Sequence, residues 1–238
     1  MINLKRLIPD NFITFLKNKL GVPSQQSSFV KLKNLGFNPK NIIDIGAYEG
    51  NWTTDIKTVF PDAHVLIIEG QENKKSILLE KINSISNTTL TIALLGAEQK
   101  SVKFNIYESA SSVFTEDNET DATEEFITLS LLDDVVKGTS FEQVDLIKID
   151  TQGYELEILK GGQNVLSNAQ CVLLEVSLLG IYKEAPLVAE VIAYMKQNGF
   201  VLYDICSLMQ RPYDKALFQS DFMFLREDHH LRSSTRWR

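Results

Sequence analysis

The sequence predicts an open, doubly wound α/β domain: a mostly parallel, seven-stranded sheet with helices on both faces and a C-terminal antiparallel hairpin. Three observations carry this. Five short runs are almost wholly apolar, Asn41–Ile45, His64–Ile68, Thr89–Leu95, Val144–Ile149 and Cys171–Val176, the pattern of strands buried on both faces. Helix-patterned segments alternate with them, as the crossovers of a parallel sheet require. The last two β-type segments, Phe200–Ile205 and Leu217–Leu225, have no helix between them, and their link Ser207–Lys215 contains Arg211-Pro212-Tyr213. They are expected to pair as an antiparallel hairpin at a sheet edge.

The chain begins with Leu4, Leu7, Ile8, Phe12, Leu16 and Leu20 at helical spacing, interrupted by Pro9-Asp10. Residues 1–40 are therefore expected to form an N-terminal helical arm packed on the domain. A basic amphipathic helix touching anionic membrane or a partner is the alternative. The main domain spans 41–227. Trp52–Phe60, Glu72 to about Ser84, Tyr154–Leu166 and Leu187–Asn198 supply its helices. Region 96–143 breaks the rhythm. Ser101–Tyr107 alternates like a strand, Ile127–Val136 reads as strand then turn or short helix, and Ser109–Glu125 between them holds three serines and six acids. A long loop inside an economical domain is more often functional than not, and this one is expected to be a lid. Residues 228–238 are expected to be a flexible tail.

Composition narrows the function. The 238 residues are 44% hydrophobic and 23% charged, which excludes wholesale disorder and disulfide-stapled miniproteins. Residues 1–40 carry seven Lys/Arg and one acid, while the remainder carries 17 basic and 30 acidic residues. So acidic a body argues against nucleic acid as the partner. Cys171 and Cys206 lie in apolar runs without a CxxC pattern and read as buried cytosolic thiols. No secretory signal and no apolar stretch of about 18 residues is visible, so the expected location is cytoplasmic.

The strongest chemical signal is Asp44-Ile45-Gly46-Ala47-Tyr48-Glu49-Gly50-Asn51 at the end of the first strand. The first β-to-α turn is the usual ligand cradle of such a sheet. Gly46 allows a tight turn, and Gly50 lets a helix N-terminus open toward ligand. Glu69 ends the second strand, 25 residues after Asp44, where a carboxylate accepts both hydroxyls of a ribose. A dinucleotide fingerprint would place a glycine where Tyr48 stands, and Asp44 would repel its pyrophosphate. An adenosine ligand without phosphates and with a cationic amino-acid end fits better, and S-adenosylmethionine is such a ligand. The expected cofactor-binding residues are Asp44, Gly46, Ala47, Gly50, Asn51, Glu69 and, in the loop after the third strand, Gly96.

These motifs, with Ile147–Gly162 (IKIDTQGYELEILKGG) and the closing Gln219–Glu227 (QSDFMFLRE), resemble the FkbM family of S-adenosylmethionine-dependent methyltransferases from about Asn34 to Glu227. The resemblance implies a Rossmann-like class I methyltransferase fold whose last strand runs antiparallel. It also implies O-methylation, commonly of a sugar hydroxyl in a polysaccharide or glycosylated natural product. Many members carry Glu where this chain has Gln152, which puts any proton-transfer role there in doubt.

An alcohol is a weak nucleophile at neutral pH, so a base or a metal would assist its methylation. His64 begins an apolar strand and His229 and His230 lie near the end, so histidine is a poor candidate. Asp150, at the carboxyl edge of its strand, is the leading candidate base, followed by Glu175 and Glu155. Each has a structural alternative: Asp150 as a cap, Glu155 as a helix-dipole partner, Glu175 as an ion-pair partner of Lys148. Asp150 and Glu175 lack a visible third ligand, so no metal is assigned. Tyr154, Tyr182 and Tyr213 are candidate stacking partners for a sugar. A nicotinamide-dependent oxidoreductase is disfavoured by the missing glycine, and a non-catalytic adenosine-binding or glycan-assembly partner is the third alternative.

Overall fold

The computed structural model describes residues 20–106, 123–180, 184–234 and 236–237. Residues 1–19 of the N-terminal arm, residues 107–122 of the serine and acid loop, and Tyr182 lie outside the described residues. Helix α1 (Gln25–Asn34) precedes β1 (Asn41–Ile45), α2 (Asn51–Val59), β2 (His64–Glu69), α3 (Lys75–Ile82) and β3 (Thr88–Ile92). Then come β4 (Ser101–Ile106), β5 (Thr123–Thr128), α4 (Leu132–Val136), β6 (Leu146–Ile149), α5 (Glu155–Lys160) and α6 (Gln163–Asn168). The chain closes with β7 (Cys171–Ser177), α7 (Val188–Gln197), β8 (Phe200–Ile205), the two-residue β9 (Met209–Gln210) and β10 (Leu217–Arg226).

The main sheet runs β3-β2-β1-β6-β7-β10-β8, with β9 beside β10. The pairs from β3 to β7 are parallel, and β10 is antiparallel to both β7 and β8. The strands read as continuous apolar runs because alternate side chains feed two cores. Ile43, Ile45, Leu66, Ile68, Ile147 and Ile149 enter one, and Ile42, Val65, Ile67 and Leu146 the other. Each such side chain stabilises the fold by about 1.5–3 kcal/mol.

The expected C-terminal hairpin is present, but its outer member is β8, not the final strand. β10 is buried along most of its length whereas β8 is half-buried throughout its middle. The longer strand, β10, takes the interior place, paired on both sides, and the six-residue β8 forms the edge. The third strand stops at Ile92 instead of Leu95, and Leu95 bridges to Ser130. Region 96–143 holds the separate β4–β5 hairpin. The helix expected over Tyr154–Leu166 is broken into α5 and α6 at Gly161-Gly162, where a Cβ on Gly161 would stand 2.0 Å from the Gly96 carbonyl oxygen.

Helix α1 is capped by Ser24, whose Oγ accepts the Ser27 N–H at 3.2 Å. Phe29 and Leu32 anchor it in the second core. The expected tail from residue 228 opens with a packed segment. His229 is buried, with its ring 6.0 Å from that of Phe37, and its Nδ1 accepts the Leu231 N–H opening a 3-10 turn, His230–Arg232. An aromatic partner and a satisfied ring nitrogen hold His229 in place.

Candidate functional site

A cavity of about 240 Å³ opens at the carboxyl ends of β1, β2 and β6 and against the segment after β3. This is where an open α/β sheet takes its ligand. Gly46, Tyr48, Glu69, Gln71, Asp150 and Gln152 bring the polar groups of its lining, and Leu94, Leu95, Phe104 and Ile158 bring apolar walls.

The glycine turn supplies backbone, not bare space. Gly46 has φ +70°, and a Cβ there would lie 1.9 Å from the Asp150 carbonyl oxygen, so the β1 and β6 turns touch at this point. Tyr48 takes a left-handed φ of +53°, which is uncommon for a tyrosine. That turn aims its N–H at Glu69 Oε2, 2.8 Å away, while the Gln71 N–H donates to Glu69 Oε1 at 2.9 Å. Burial raises the Glu69 pKa, although these two N–H groups oppose it. Each carboxylate oxygen keeps a further lone pair for a ligand hydroxyl.

Asp44 does not reach the cavity lining. It is fully buried, its Oδ2 accepts the Thr53 hydroxyl at 2.7 Å, and its Oδ1 lies 3.2 Å from Lys148 Nζ without hydrogen-bond alignment. Lys148, its register partner on β6, also lies 3.8 Å from Asp150 Oδ2 and donates to the Gly46 carbonyl at 3.0 Å. Burial would lower the Lys148 pKa, but Asp44 and then Asp150 outweigh it and the net shift is upward. The lysine therefore stays charged and ties Asp44 to Asp150.

Four other expected cofactor residues lie outside the lining. Ala47 packs in the second core, Gly50 caps α2, and the Asn51 side chain accepts from Lys81. Gly96 faces Leu129 and Gly161, so its neighbours Ala93, Leu94 and Leu95 line the cavity in its place.

At the other end stands a wall of carboxylates and amides. Gln152, with φ +55°, donates from Nε2 to Asp150 Oδ1 at 3.2 Å and to Glu175 Oε2 at 2.8 Å. Gln219 on β10 donates to the same Glu175 oxygen at 3.0 Å. Burial first, then Asp150, Glu155 and Asp221, drive the Glu175 pKa up, which favours its protonated, neutral form. The close ion-pair partners of Lys148 are Asp44 and Asp150, and Glu175 acts on it at longer range. Glu155 is buried behind the wall, and its Oε1 accepts the Thr151 N–H at 2.9 Å and the Gly153 N–H at 3.1 Å. It pins the 151–153 turn and does not line the cavity, and burial lifts its pKa to about 7.

Sequence reasoning missed several residues here. Phe104, on the β4–β5 hairpin, lines the cavity from outside the main sheet. Asp221 Oδ2 accepts Gln25 Nε2 at 2.6 Å, and Gln25 Oε1 accepts the Trp52 indole N–H at 2.7 Å, so α1 is tied to β10 and α2 through one half-buried amide. Gln71 is 6% exposed, and its Oε1 has no hydrogen-bond partner among the described residues. Such an orphaned carbonyl costs about 1–3 kcal/mol. Gln219 and Asp221 stand in the QSDF run that the sequence singled out, and a polar triplet inside an apolar strand was the available signal. Phe104 had none. Among the described residues, no three His, Cys, Asp or Glu side chains group so as to hold a metal ion. No helix among them is long and apolar enough to cross a membrane.

The arrangement fits a nucleoside with a cationic, phosphate-free tail: a carboxylate for ribose, apolar walls for a base, an unpartnered amide beside them and acids at the far end. Comparison with known proteins agrees. The sequence model described as "Methyltransferase FkbM domain" matches residues 44–202. No curated protein sequence matches. Among solved structures, M. capricolum TrmK in complex with S-adenosyl-homocysteine is similar with a TM-score of 0.51 and 10% identity, covering 85% of this chain and 67% of that one. The magnesium protoporphyrin IX methyltransferase of Synechocystis PCC 6803, also with that product bound, gives 0.50 and 10%, covering 84% and 81%. At such identities these two likenesses speak to the fold.

Proposed function

The chain belongs to the FkbM family of S-adenosylmethionine-dependent methyltransferases, and on that premise we propose that it methylates a hydroxyl of a sugar, a polysaccharide or a glycosylated natural product. The observation that carries the reading is the Asp150–Gln152–Glu175 group at one end of the cavity, an ionisable carboxylate and a neutral carboxyl joined by one amide. Transfer to oxygen needs a proton acceptor beside the incoming hydroxyl, and that group has the chemistry for it.

In this mechanism Glu69 takes the ribose hydroxyls, and Leu94, Leu95 and Phe104 enclose the base. The cofactor supplies an electrophilic methyl group on a sulfonium. Most of the rate then comes from alignment, which Gly46 and Tyr48 secure by fixing the first turn. Asp150 accepts the hydroxyl proton at a carboxylate oxygen. Lys148 holds Asp150 in place, and the neutral Glu175, oriented by Gln152 and Gln219, lets a second acid stand there without a second negative charge. Gln152 thus serves as an organiser of the two acids. The catalytic unit in this reading is residues 41–227, with the 96–143 region as cover, and the basic arm remains available for an anionic surface that presents the acceptor.

The test is incubation with methyl-labelled cofactor and a panel of sugars, glycans and glycosylated natural products, followed by NMR assignment of the product linkage. A new O–CH3 signal supports the proposal. Label found only on nitrogen or carbon of an acceptor refutes it.

A further inference from the structure

Gln71 is the buried polar group that the mechanism above leaves unused. Gly70, Gln71, Ala93 and Leu94 line both the main cavity and an adjoining groove of about 410 Å³. Gln71 is the polar side chain among these four, at the partition between the two spaces. Its backbone is held at both ends, the N–H by Glu69 Oε1 at 2.9 Å and the carbonyl by the Lys74 N–H at 3.1 Å. The side chain is 6% exposed, and its buried Oε1 has no hydrogen-bond partner among the described residues. Burying an amide oxygen in that state is unfavourable unless a ligand supplies the missing donor.

The position says which donor. Glu69, two residues earlier, faces the ribose in the cofactor reading on which this inference rests. A base attached to that ribose extends past Gly70 to the partition, where Ala93 and Leu94 offer no hydrogen bonds. We propose that Gln71 recognises the adenine of the cofactor, Oε1 accepting from the exocyclic amine and Nε2 donating to the adjacent ring nitrogen N7. A glutamine amide matches this edge of adenine in both polarity and spacing. Hypoxanthine carries a carbonyl in place of the amine and so presents two acceptors on that edge. Rotating the amide cannot rescue the contact, since Oε1 would then face N7. Gln71 is on this account a specificity residue for the nucleobase, distinct from the carboxylate that grips the sugar.

The test is calorimetric titration of the full chain with S-adenosylhomocysteine and with its hypoxanthine counterpart, S-inosylhomocysteine. The wild-type protein is expected to prefer the adenine form by about tenfold or more, and Gln71→Leu to bind the two alike, with adenine affinity down about tenfold. The ligand-free Gln71→Leu protein is expected to melt at or above the wild-type temperature, because the orphaned oxygen is gone. A merely structural glutamine would give the opposite shift. Gln71→Met, nearer in length, provides the same readouts should leucine disturb the turn. Retention of the adenine preference in both variants overturns the inference, as does a wild-type protein without preference. Failure of the wild-type protein to bind either nucleoside brings down the cofactor reading itself, and the inference with it.

Discussion

The two ends of the cavity are built from different materials. At the nucleoside end one carboxylate, Glu69, is gripped by the backbone of Tyr48 and Gln71 among apolar side chains. At the other end the carboxyls of Asp150 and Glu175 are held by the side-chain amides of Gln152 and Gln219. Backbone donors favour the charged form of the one carboxylate they hold, whereas a pair of acids bridged by neutral amides is poised to exchange a proton. The division implies that affinity and turnover are separable in this molecule.

Asp150→Asn gives the sharpest break. Turnover is expected to fall about 10²–10⁴-fold, while S-adenosylhomocysteine binding by calorimetry stays within about threefold of wild type. Equal loss of binding would remove the distinction between the ends. Next comes the lysine that ties the acid end to the buried Asp44. Lys148→Met strands Asp44 in the core and is expected to destabilise the fold by about 3–5 kcal/mol in urea denaturation. The pair Asp44→Leu with Lys148→Met is expected to recover most of that stability, because it removes both charges together.

Glu155 tests the acid end through pH. Its folded pKa of about 7 lies above its unfolded value of 4.5, so the native state binds the extra proton between those limits. Stability from this group is therefore fully present below about pH 4.5 and is lost as pH rises through 7, by about 3 kcal/mol in all. Glu155→Gln is expected to flatten the stability profile over that window, and an unchanged profile would show that another acid sets it. The smallest effect is expected from Glu69→Gln, which keeps one acceptor oxygen: S-adenosylhomocysteine affinity about tenfold weaker, with turnover at saturating cofactor little changed.

Much of the fold was legible because strands buried on both faces leave continuous apolar runs, and each of the five runs marks a strand of the parallel portion. The insertion of β10 between β7 and β8 was not, since strand order depends on which strand is more deeply buried, and local pattern does not rank that. Within the site, Glu69 and Asp150 were visible from their places at strand ends. Asp44 looked equally ligand-like. Its structural role was legible in Lys148, because a lysine inside the run LIKI must find a buried acid, and the parallel pairing of β1 with β6 puts Asp44 opposite. Phe104, Gln25 and Gln71 were invisible because what defines them is company from distant parts of the chain, or the lack of it.

The meeting of Gly46 with the Asp150 carbonyl has a consequence for how this sequence can drift. A library saturating position 46 and sorted only for folded, protease-resistant protein should return glycine almost alone, before any selection for activity is applied. The distance from cradle to proposed base is then guarded by foldability itself. Descendants of this chain can change acceptor by remodelling loops, yet they inherit the same spacing between the two ends.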